Sequence, residues 1–265
     1  MPPTWPDRLR PWLPWELAQL LWSALRKRRP VQLPSDLPAA SSLPKYLLQE
    51  FHNLPNCNYS HNITSGYIRG FERAMLVHLK SARARMAAQV LPAQDLLDVG
   101  SGGGSTAAHL LAAGAGNVTG FEPSPYMLRH AAQSHPRIRF VQGLAENLPF
   151  DDASFDAVSV CFVLHEMPPT FVRLALRELR RVLRPGGKLA ICEPSPTQLR
   201  HGMYALWRRH GWRGIYYRML ARRMHEPFVT AWHGLDPVAE LQAAGFTAVR
   251  DEEQFPSRHL QAVVG

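Results

Sequence analysis

The chain has 265 residues, a formal net charge of +9 and a hydrophobic fraction of 46%. This length suits one large domain with an appendage, and no apolar run approaches the roughly 18 residues that a membrane-spanning helix needs. The three cysteines, Cys57, Cys161 and Cys192, are far apart and lack metal-ligand spacing. They argue against a disulfide framework and for a reducing compartment, so we expect a cytoplasmic protein.

The first 90 residues are predicted to be additions to the main domain. Residues 1–30 form a basic segment, in which the apolar spacing over 15–28 predicts an amphipathic helix that the following proline ends. Residues 31–90 are a linker and helical lid region. They include most of a proline-rich linker (30–44) and a helical region over 64–90. The main domain then spans the remaining residues, 91 to 265.

Most of the positive charge lies in two segments that are also rich in aromatic residues. Residues 1–30 have a net charge of +4 and four tryptophans, and residues 195–233 carry seven arginines against Glu226 alone. Three interpretations stay open: peripheral contact with the inner face of an anionic membrane, binding of nucleic acid, and helices whose tryptophans pack on the core. Nucleic acid is the least favoured partner because the rest of the chain is not basic.

The stretch 96–106 (LLDVGSGGGST) is an apolar strand that runs into a glycine-dense turn and then into a helix. Glycine lets the backbone turn sharply and lie against a ligand, and the start of a helix offers free N–H groups. A dinucleotide-binding turn needs glycine or alanine at the last position of G-x-G-x-x-G, where this chain has Ser105. The turn therefore argues against NAD or FAD.

Strands and helices alternate from this turn to the C-terminus. Such alternation predicts a doubly wound α/β fold with right-handed crossovers, and ligands in such folds lie beyond the carboxyl ends of the strands. The predicted strands cover 94–99, 117–122, 138–142, 155–161, 188–193, 246–252 and 258–264. The predicted helices cover 105–114, 124–134, 169–183 and 236–244, and residues 195–233 form an insertion after the fifth strand.

Four later segments, together with 96–106, carry a family resemblance. They are 118–122 (VTGFE), 140–150 (FVQGLAENLPF), 154–161 (SFDAVSVC) and 183–189 (LRPGGKL). These motifs resemble those of class I AdoMet-dependent methyltransferases, and the pattern around 143–162 is most similar to the type 11 branch, which includes ubiquinone and menaquinone C-methyltransferases. The resemblance implies a seven-stranded Rossmann-like sheet with a C-terminal antiparallel hairpin. It also implies S-adenosyl-L-methionine (AdoMet) as cofactor and S-adenosyl-L-homocysteine (AdoHcy) as product.

The resemblance further implies a set of cofactor-binding residues, in which the Glu122 carboxylate accepts hydrogen bonds from the ribose hydroxyls. The set is Asp98, Gly100, Ser101, Gly102, Gly104, Glu122, Pro123, Gly143, Leu144, Ala145 and Phe162. Leu144 departs from the family, which usually has an aspartate there to accept from the adenine amino group. The loss of one neutral hydrogen bond costs about 0.5–1.5 kcal/mol. Gln142, a backbone carbonyl or apolar contact could substitute.

His165 is the candidate catalytic residue, because it follows the fourth strand and a histidine titrates near neutral pH. It is a candidate base or acceptor-orienting residue, and the alternative that it only lines the cofactor pocket stays open. We expect no metal, because proline at position 169 breaks the H-E-x-x-H zinc motif. The candidate substrate or lid residues are His52, Tyr59, His61, Tyr67, Trp207 and Tyr216.

These features predict transfer of a methyl group to a small-molecule acceptor that is hydrophobic or amphiphilic, such as a quinone, isoprenoid or lipid precursor. One alternative is an RNA or protein methyltransferase that holds its substrate with the basic segments. Another is a non-catalytic AdoMet-fold scaffold of a membrane biosynthetic complex, its pocket weakened by Leu144.

Overall fold

A computed structural model describes residues 1–25, 29–37 and 43–265. A seven-stranded sheet lies at its centre, in the order β3-β2-β1-β4-β5-β7-β6. The strands are β1 (Asp95–Val99), β2 (Asn117–Glu122), β3 (Arg139–Gln142), β4 (Phe155–Cys161), β5 (Leu183–Pro194), β6 (Phe246–Gln254) and β7 (Ser257–Val264). The first five pair in parallel, and β7 pairs antiparallel with β5 and β6. The predicted doubly wound sheet with a C-terminal hairpin is confirmed.

Helices cover both faces of the sheet. They are α1 (Pro14–Leu25), α2 (His61–Ala74), α3 (His78–Val90), α4 (Ser105–Ala112), α5 (Pro125–Ser134), α6 (Pro169–Val182), α7 (Thr197–Arg200), α8 (Met203–Arg223), α9 (Val229–Gly234) and α10 (Pro237–Ala243). Successive strand residues point to opposite faces, so Leu97 packs with Leu176 of α6 while Leu96 packs with Met86 of α3. The carboxyl ends of the parallel strands meet at one edge, where the connecting loops form the site.

Residues on either side of α1 pack against the domain. Thr4 is buried, and its hydroxyl donates to a backbone carbonyl oxygen 2.8 Å away. Val31 and Leu37 are buried as well, so the predicted linker over 30–44 is docked at these positions. Residues 38–42 of that linker lie outside the described residues.

Helix α1 itself exposes large apolar side chains. Trp12, just before it, and Trp15, Trp22 and Leu25 within it are 76, 66, 70 and 81% exposed. The alternative in which the tryptophans of residues 1–30 pack on the core is therefore wrong for Trp12, Trp15 and Trp22, whereas Trp5 is half-buried. Residues 26–28 of the predicted helix lie outside the described part of the chain.

The predicted helical region over 64–90 is two helices, α2 and α3, and the insertion folds into α7, α8 and α9. Helix α8 packs on the connection between α2 and α3. The Tyr216 hydroxyl donates to the carbonyl oxygen of Ala74 at 2.7 Å, and the Tyr217 hydroxyl donates to that of Met75 at 2.9 Å. Across the three described ranges, every helix is too short or too polar to cross a membrane.

Candidate functional site

The loop between β1 and α4 is tied to the end of β2. The N–H groups of Gly100 and Ser101 both donate to the carbonyl oxygen of Phe121, at 2.8 and 3.0 Å. Gly100 has a φ of +68°, and a Cβ placed on it would lie 2.2 Å from the Val163 side chain. A larger residue would be strained by its conformation and by the lack of space. The loop therefore presents backbone at the carboxyl edge of the sheet.

Glu122 ends β2 with its carboxylate held by this loop. Its two oxygens accept hydrogen bonds from the N–H groups of Gly102 and Ser124, each at 3.0 Å. Burial raises the pKa of Glu122 to about 7, although these two hydrogen bonds act in the opposite direction. Each carboxylate oxygen can accept a further hydrogen bond, so Glu122 can still bind a pair of ligand hydroxyls.

The first cavity lies between the β1–α4 loop, the end of β2 and α2. The Ser101 hydroxyl oxygen is buried there without a hydrogen-bond partner among the described residues. Eight of the predicted cofactor-binding residues line this cavity: Gly100, Ser101, Gly102, Glu122, Pro123, Leu144, Ala145 and Phe162.

The other three predicted cofactor-binding residues lie behind the first cavity. Asp98 is buried and accepts a hydrogen bond from the Ser159 hydroxyl at 2.6 Å, and burial raises its pKa to about 7. A Cβ at Gly104 would lie 2.8 Å from a neighbouring imidazole, and a Cβ at Gly143 would lie 2.4 Å from a phenyl ring. Both glycines therefore permit close packing of the walls.

The wall around Leu144 is apolar where the family usually has a carboxylate. Leu144 forms an isolated backbone bridge with Asn147, beside Ala145. The Gln142 side-chain amide donates to the carbonyl oxygen of Pro123 at 3.1 Å. The Gln142 side-chain oxygen stays available as an acceptor, so the three substitutes for the family's aspartate stay open.

A second cavity, of about 380 Å³, adjoins the first. Its walls are mostly apolar side chains of α2, α8 and the chain after β4. Residues that line both cavities are Tyr67, Phe71, Phe162 and Glu166. Phe162 has a φ of +59°, a costly conformation for a non-glycine residue and one that concentrates at functional sites. These four residues therefore form the boundary between the two cavities, which we refer to as the shared wall.

His165 lies at the polar end of the second cavity and is almost fully buried. Its Nδ1 donates to Glu193 Oε2 at 2.6 Å. Glu193, from β5, also accepts from the backbone N–H groups of Val163 and Leu164 at 2.9 and 2.8 Å. Glu193 thereby fixes both the turn after β4 and the orientation of the His165 ring.

Two remote segments complete this polar end. Glu226 Oε1, from the insertion, lies 3.7 Å from His165 Nε2 and 3.6 Å from His52 Nε2. His52 Nε2 is also 3.2 Å from Glu166 Oε1. We refer to these five residues, Glu193, His165, Glu226, His52 and Glu166, as the imidazole–carboxylate cluster.

The cluster sets the charge of its members. Burial disfavours a charged His52, but hydrogen bonds with Glu166 and Glu226 outweigh burial and raise its pKa to about 9. Burial likewise opposes charge on His165, but Glu193 and Glu226 hold its pKa well above the usual value. Burial would raise the pKa of Glu226, but the two histidines hold it below its usual range. At neutral pH both imidazoles are therefore protonated and Glu226 is ionised.

The predicted lid residues divide into two groups. His52, Tyr59 and Tyr67 line one or both cavities. The others lie elsewhere: His61 Nε2 contacts the Met1 carbonyl oxygen, Trp207 is 57% exposed, and Tyr216 holds α8 on α2. The sequence reasoning missed Glu193 and Glu226. Glu226 carried a signal, since it is the one acidic residue of the basic insertion.

Among the residues that the structure describes, no group of histidine, cysteine, aspartate and glutamate side chains could hold a metal ion. Along the cluster, carboxylates and imidazoles follow one another in turn, so each carboxylate contacts at least one imidazole. The pairs support proton transfer or binding of a polar group.

Sequence comparison places this chain close to methyltransferases. A family described as "Methyltransferase domain" matches residues 97–191. The chain is 35% identical to an uncharacterized methyltransferase of Synechocystis over 164 residues, which cover 61% of this chain and 70% of that protein. It is 38% identical to the demethylmenaquinone methyltransferase of Chlorobaculum tepidum over 119 residues, 45% of this chain and 48% of the relative. The chain thus matches about half the length of that relative.

Solved structures share the fold at low sequence identity. A SAM-dependent methyltransferase of Thermotoga maritima, titled as a possible histamine N-methyltransferase, superposes with a TM-score of 0.53 at 19% identity, over 77% of this chain and 99% of that one. Human N-acetylserotonin methyltransferase in complex with SAM gives a TM-score of 0.55 at 18% identity, over 78% of this chain and 57% of that one. At such identities these structures support the fold alone.

Proposed function

The chain belongs to the class I AdoMet-dependent methyltransferases, and from this premise we propose that it methylates a small, apolar or amphiphilic acceptor bound in the second cavity. The observation that carries the proposal is the shared wall of Tyr67, Phe71, Phe162 and Glu166 between the two cavities. In this arrangement a cofactor in the first cavity presents its methyl group to an acceptor in the second. Such positioning can supply about 7–11 kcal/mol of catalysis.

The residues of the first cavity fit AdoMet. Glu122 has free acceptor capacity for the ribose hydroxyls, and the buried Ser101 hydroxyl has no hydrogen-bond partner among the described residues. Leu144 and Ala145 offer an apolar surface for the adenine ring. When bound, AdoMet supplies an activated methyl group on a cationic sulfur.

The second cavity suits an apolar acceptor with one polar end. Its apolar lining includes Leu54, Ile63, Met75, Leu220 and Met224, while the imidazole–carboxylate cluster supplies the polar end. The demethylmenaquinone methyltransferases among the relatives make a quinone-type ring a reasonable acceptor class. In this proposal His165 contacts or orients the acceptor.

The decisive test is to identify the methylated product. A metabolite extract incubated with the protein and isotope-labelled AdoMet should yield a labelled product of low polarity, detected by mass spectrometry. A Leu220→Trp variant, which narrows only the second cavity, should lose most of this product but retain AdoHcy binding by calorimetry. Label that appears only in protein or RNA would contradict the proposed acceptor class.

We further propose that α1 attaches the enzyme to an anionic membrane, where an apolar acceptor would dissolve. The support is the exposure of Trp12, Trp15, Trp22 and Leu25, together with the basic residues at 26–29 in the sequence. Exposed tryptophans suit the membrane interface, and each nearby basic residue contributes about 1 kcal/mol of attraction to anionic lipid. On α8, Trp207 and Trp212 are also exposed, 57 and 62%, among arginines.

Vesicle co-sedimentation tests this attachment. Replacing Trp12, Trp15 and Trp22 by alanine should reduce binding to anionic vesicles and leave AdoMet affinity intact. Substitution is preferable to truncation because residues before α1 pack on the domain. The matched Trp207→Ala/Trp212→Ala variant tests α8 separately. If the wild type fails to bind anionic vesicles even at low salt, the proposal is contradicted. It is also contradicted if the wild type and a variant with all five substitutions bind such vesicles equally.

A further inference from the structure

The imidazole–carboxylate cluster has more acids than bases. Three carboxylates, Glu166, Glu193 and Glu226, alternate with the imidazoles of His52 and His165 over contacts of 2.6 to 3.7 Å. With both imidazoles protonated, the formal charge of the cluster is −1. Glu193 is fully buried, whereas the side chains of Glu226 and Glu166 are 14 and 23% exposed, so the excess negative charge is partly shielded from water and a nearby positive charge would stabilise it.

A cation bound in the first cavity next to the shared wall would lie beside the cluster. Glu166 lines both cavities, while its partner His52 lines only the second. A cationic sulfonium in the first cavity would compensate the cluster before methyl transfer. After transfer the sulfur is neutral, and the cluster would again carry an uncompensated charge unless it gained a proton.

We propose that this cluster takes up the proton that the acceptor releases, so that the acceptor is an apolar compound with an ionisable hydroxyl. This inference rests on the proposed function. The acceptor oxygen bonds to the methyl carbon, the bond from that carbon to sulfur breaks with its electron pair left on sulfur, and the hydroxyl proton passes to Glu166. The buried site then has the same net charge before and after the reaction.

The cluster exists only when four separate parts of the chain come together: the segment before α2, the turn after β4, the end of β5 and the insertion. The N–H of His52 donates to the carbonyl oxygen of His225 at 2.8 Å, which docks the segment before α2 on the insertion. Glu226 follows directly, between the two imidazoles. These two docked segments therefore both complete the proton acceptor and line the second cavity.

Other titratable groups face the cluster. Burial raises the pKa of Tyr67 and of Cys57, and burial lowers the pKa of His233, so all three are neutral at pH 7. Glu122, on the far side of the first cavity, has a pKa of about 7 and titrates in the same range as the expected effect. A test must therefore separate Glu122 from the cluster.

Proton-linked calorimetry makes this separation. AdoMet and AdoHcy both contact the Glu122 side of the first cavity, but AdoMet alone is a sulfonium. Titrations in buffers of different ionisation enthalpy, from about pH 6 to about pH 9, give the protons taken up with each ligand. We expect AdoHcy to take up about 0.5 to 1 proton more than AdoMet.

Variants assign that difference to the cluster. In Glu166→Gln the formal charge of the cluster is zero, so AdoMet and AdoHcy should take up the same number of protons. The ratio of AdoMet affinity to AdoHcy affinity should also fall about tenfold. Glu226→Gln should act in the same direction, while Glu240→Gln, on a surface pair with Arg173, should match the wild type. Equal proton uptake for both ligands in the wild type would overturn the inference while leaving the methyltransferase assignment intact.

A pair of model compounds tests the acceptor class. 2-Naphthol is an apolar ring with one ionisable hydroxyl, and 2-methoxynaphthalene lacks that proton. Protein that holds a cationic, non-transferable analogue of AdoMet should bind 2-naphthol several-fold tighter than 2-methoxynaphthalene and shift its absorption toward the naphtholate, and Glu166→Gln should remove both effects. Equal affinities, or no binding of either compound, would contradict the hydroxylated acceptor.

Discussion

The two cavities are built in different ways although they share a wall. One side of the first is formed by backbone and small residues at two neighbouring strand ends, such as Gly100, Gly102 and Glu122, while side chains from residues 46–83 form the other side. The second is formed by side chains from distant parts of the chain, such as His52, His165 and Glu226. The shape of the first cavity at the strand ends thus depends on backbone geometry, while the shape of the second depends on how separate segments pack together.

The largest effect should come from the backbone of the first cavity. Gly100→Ala would place a Cβ 2.2 Å from Val163 in a residue with a φ of +68°. We expect a loss of about 3 to 4 kcal/mol in the free energy of unfolding, measured by urea denaturation, and a loss of AdoMet binding. Gly186→Ala, with a φ of +76° and open space, should cost only about 1–2 kcal/mol. Equal losses would show that contact with Val163 is unimportant.

The second cavity should make stability depend on pH. Because the folded pKa of His52 is raised to about 9, its stabilising effect is complete below about pH 6.5 and is lost as the pH rises through 9. This loss should amount to about 2 to 3 kcal/mol, and His52→Gln should flatten that part of the stability curve. His201→Gln, at an exposed position, should leave the curve unchanged. An identical curve for wild type and His52→Gln would mean that His52 is uncharged.

Glu122→Ala tests the one side chain on which the first cavity most depends. We expect AdoMet affinity to fall by about 1.5–3 kcal/mol, the value of hydrogen bonds to a charged group. Calorimetry measures this loss, and Glu240→Ala serves as a surface control. An unchanged affinity would place the ribose elsewhere in the cavity.

The smallest effect concerns the departure at Leu144. Leu144→Asp restores the family's usual acceptor beside the adenine, so AdoMet affinity should stay the same or rise by about 0.5–1.5 kcal/mol. Desolvation of the new carboxylate opposes this gain. Loss of binding in a folded variant would instead assign Leu144 a packing role.

The sequence alone predicted one side of the first cavity well because the features on that side are local, whereas the side formed by residues 46–83 depends on tertiary packing. The glycine-dense turn and the carboxylate at the end of β2 can be read from short motifs, and strand order then brings them together. Apolar periodicity likewise predicted the sheet and the helices of the main domain. Gly104 and Gly143 matched the family motif, but only the packing against neighbouring rings shows that they lie behind the cavity.

Tertiary structure alone decided the second cavity and the surface of α1. Glu193 fixes His165 from a neighbouring strand, and Glu226 lies between His165 and His52 although His52 is more than 170 residues from Glu226 in the chain. No local pattern encodes such contacts. The apolar residues of α1 predicted a helix equally well whether it was buried or exposed, because periodicity describes one helix face and not what covers it.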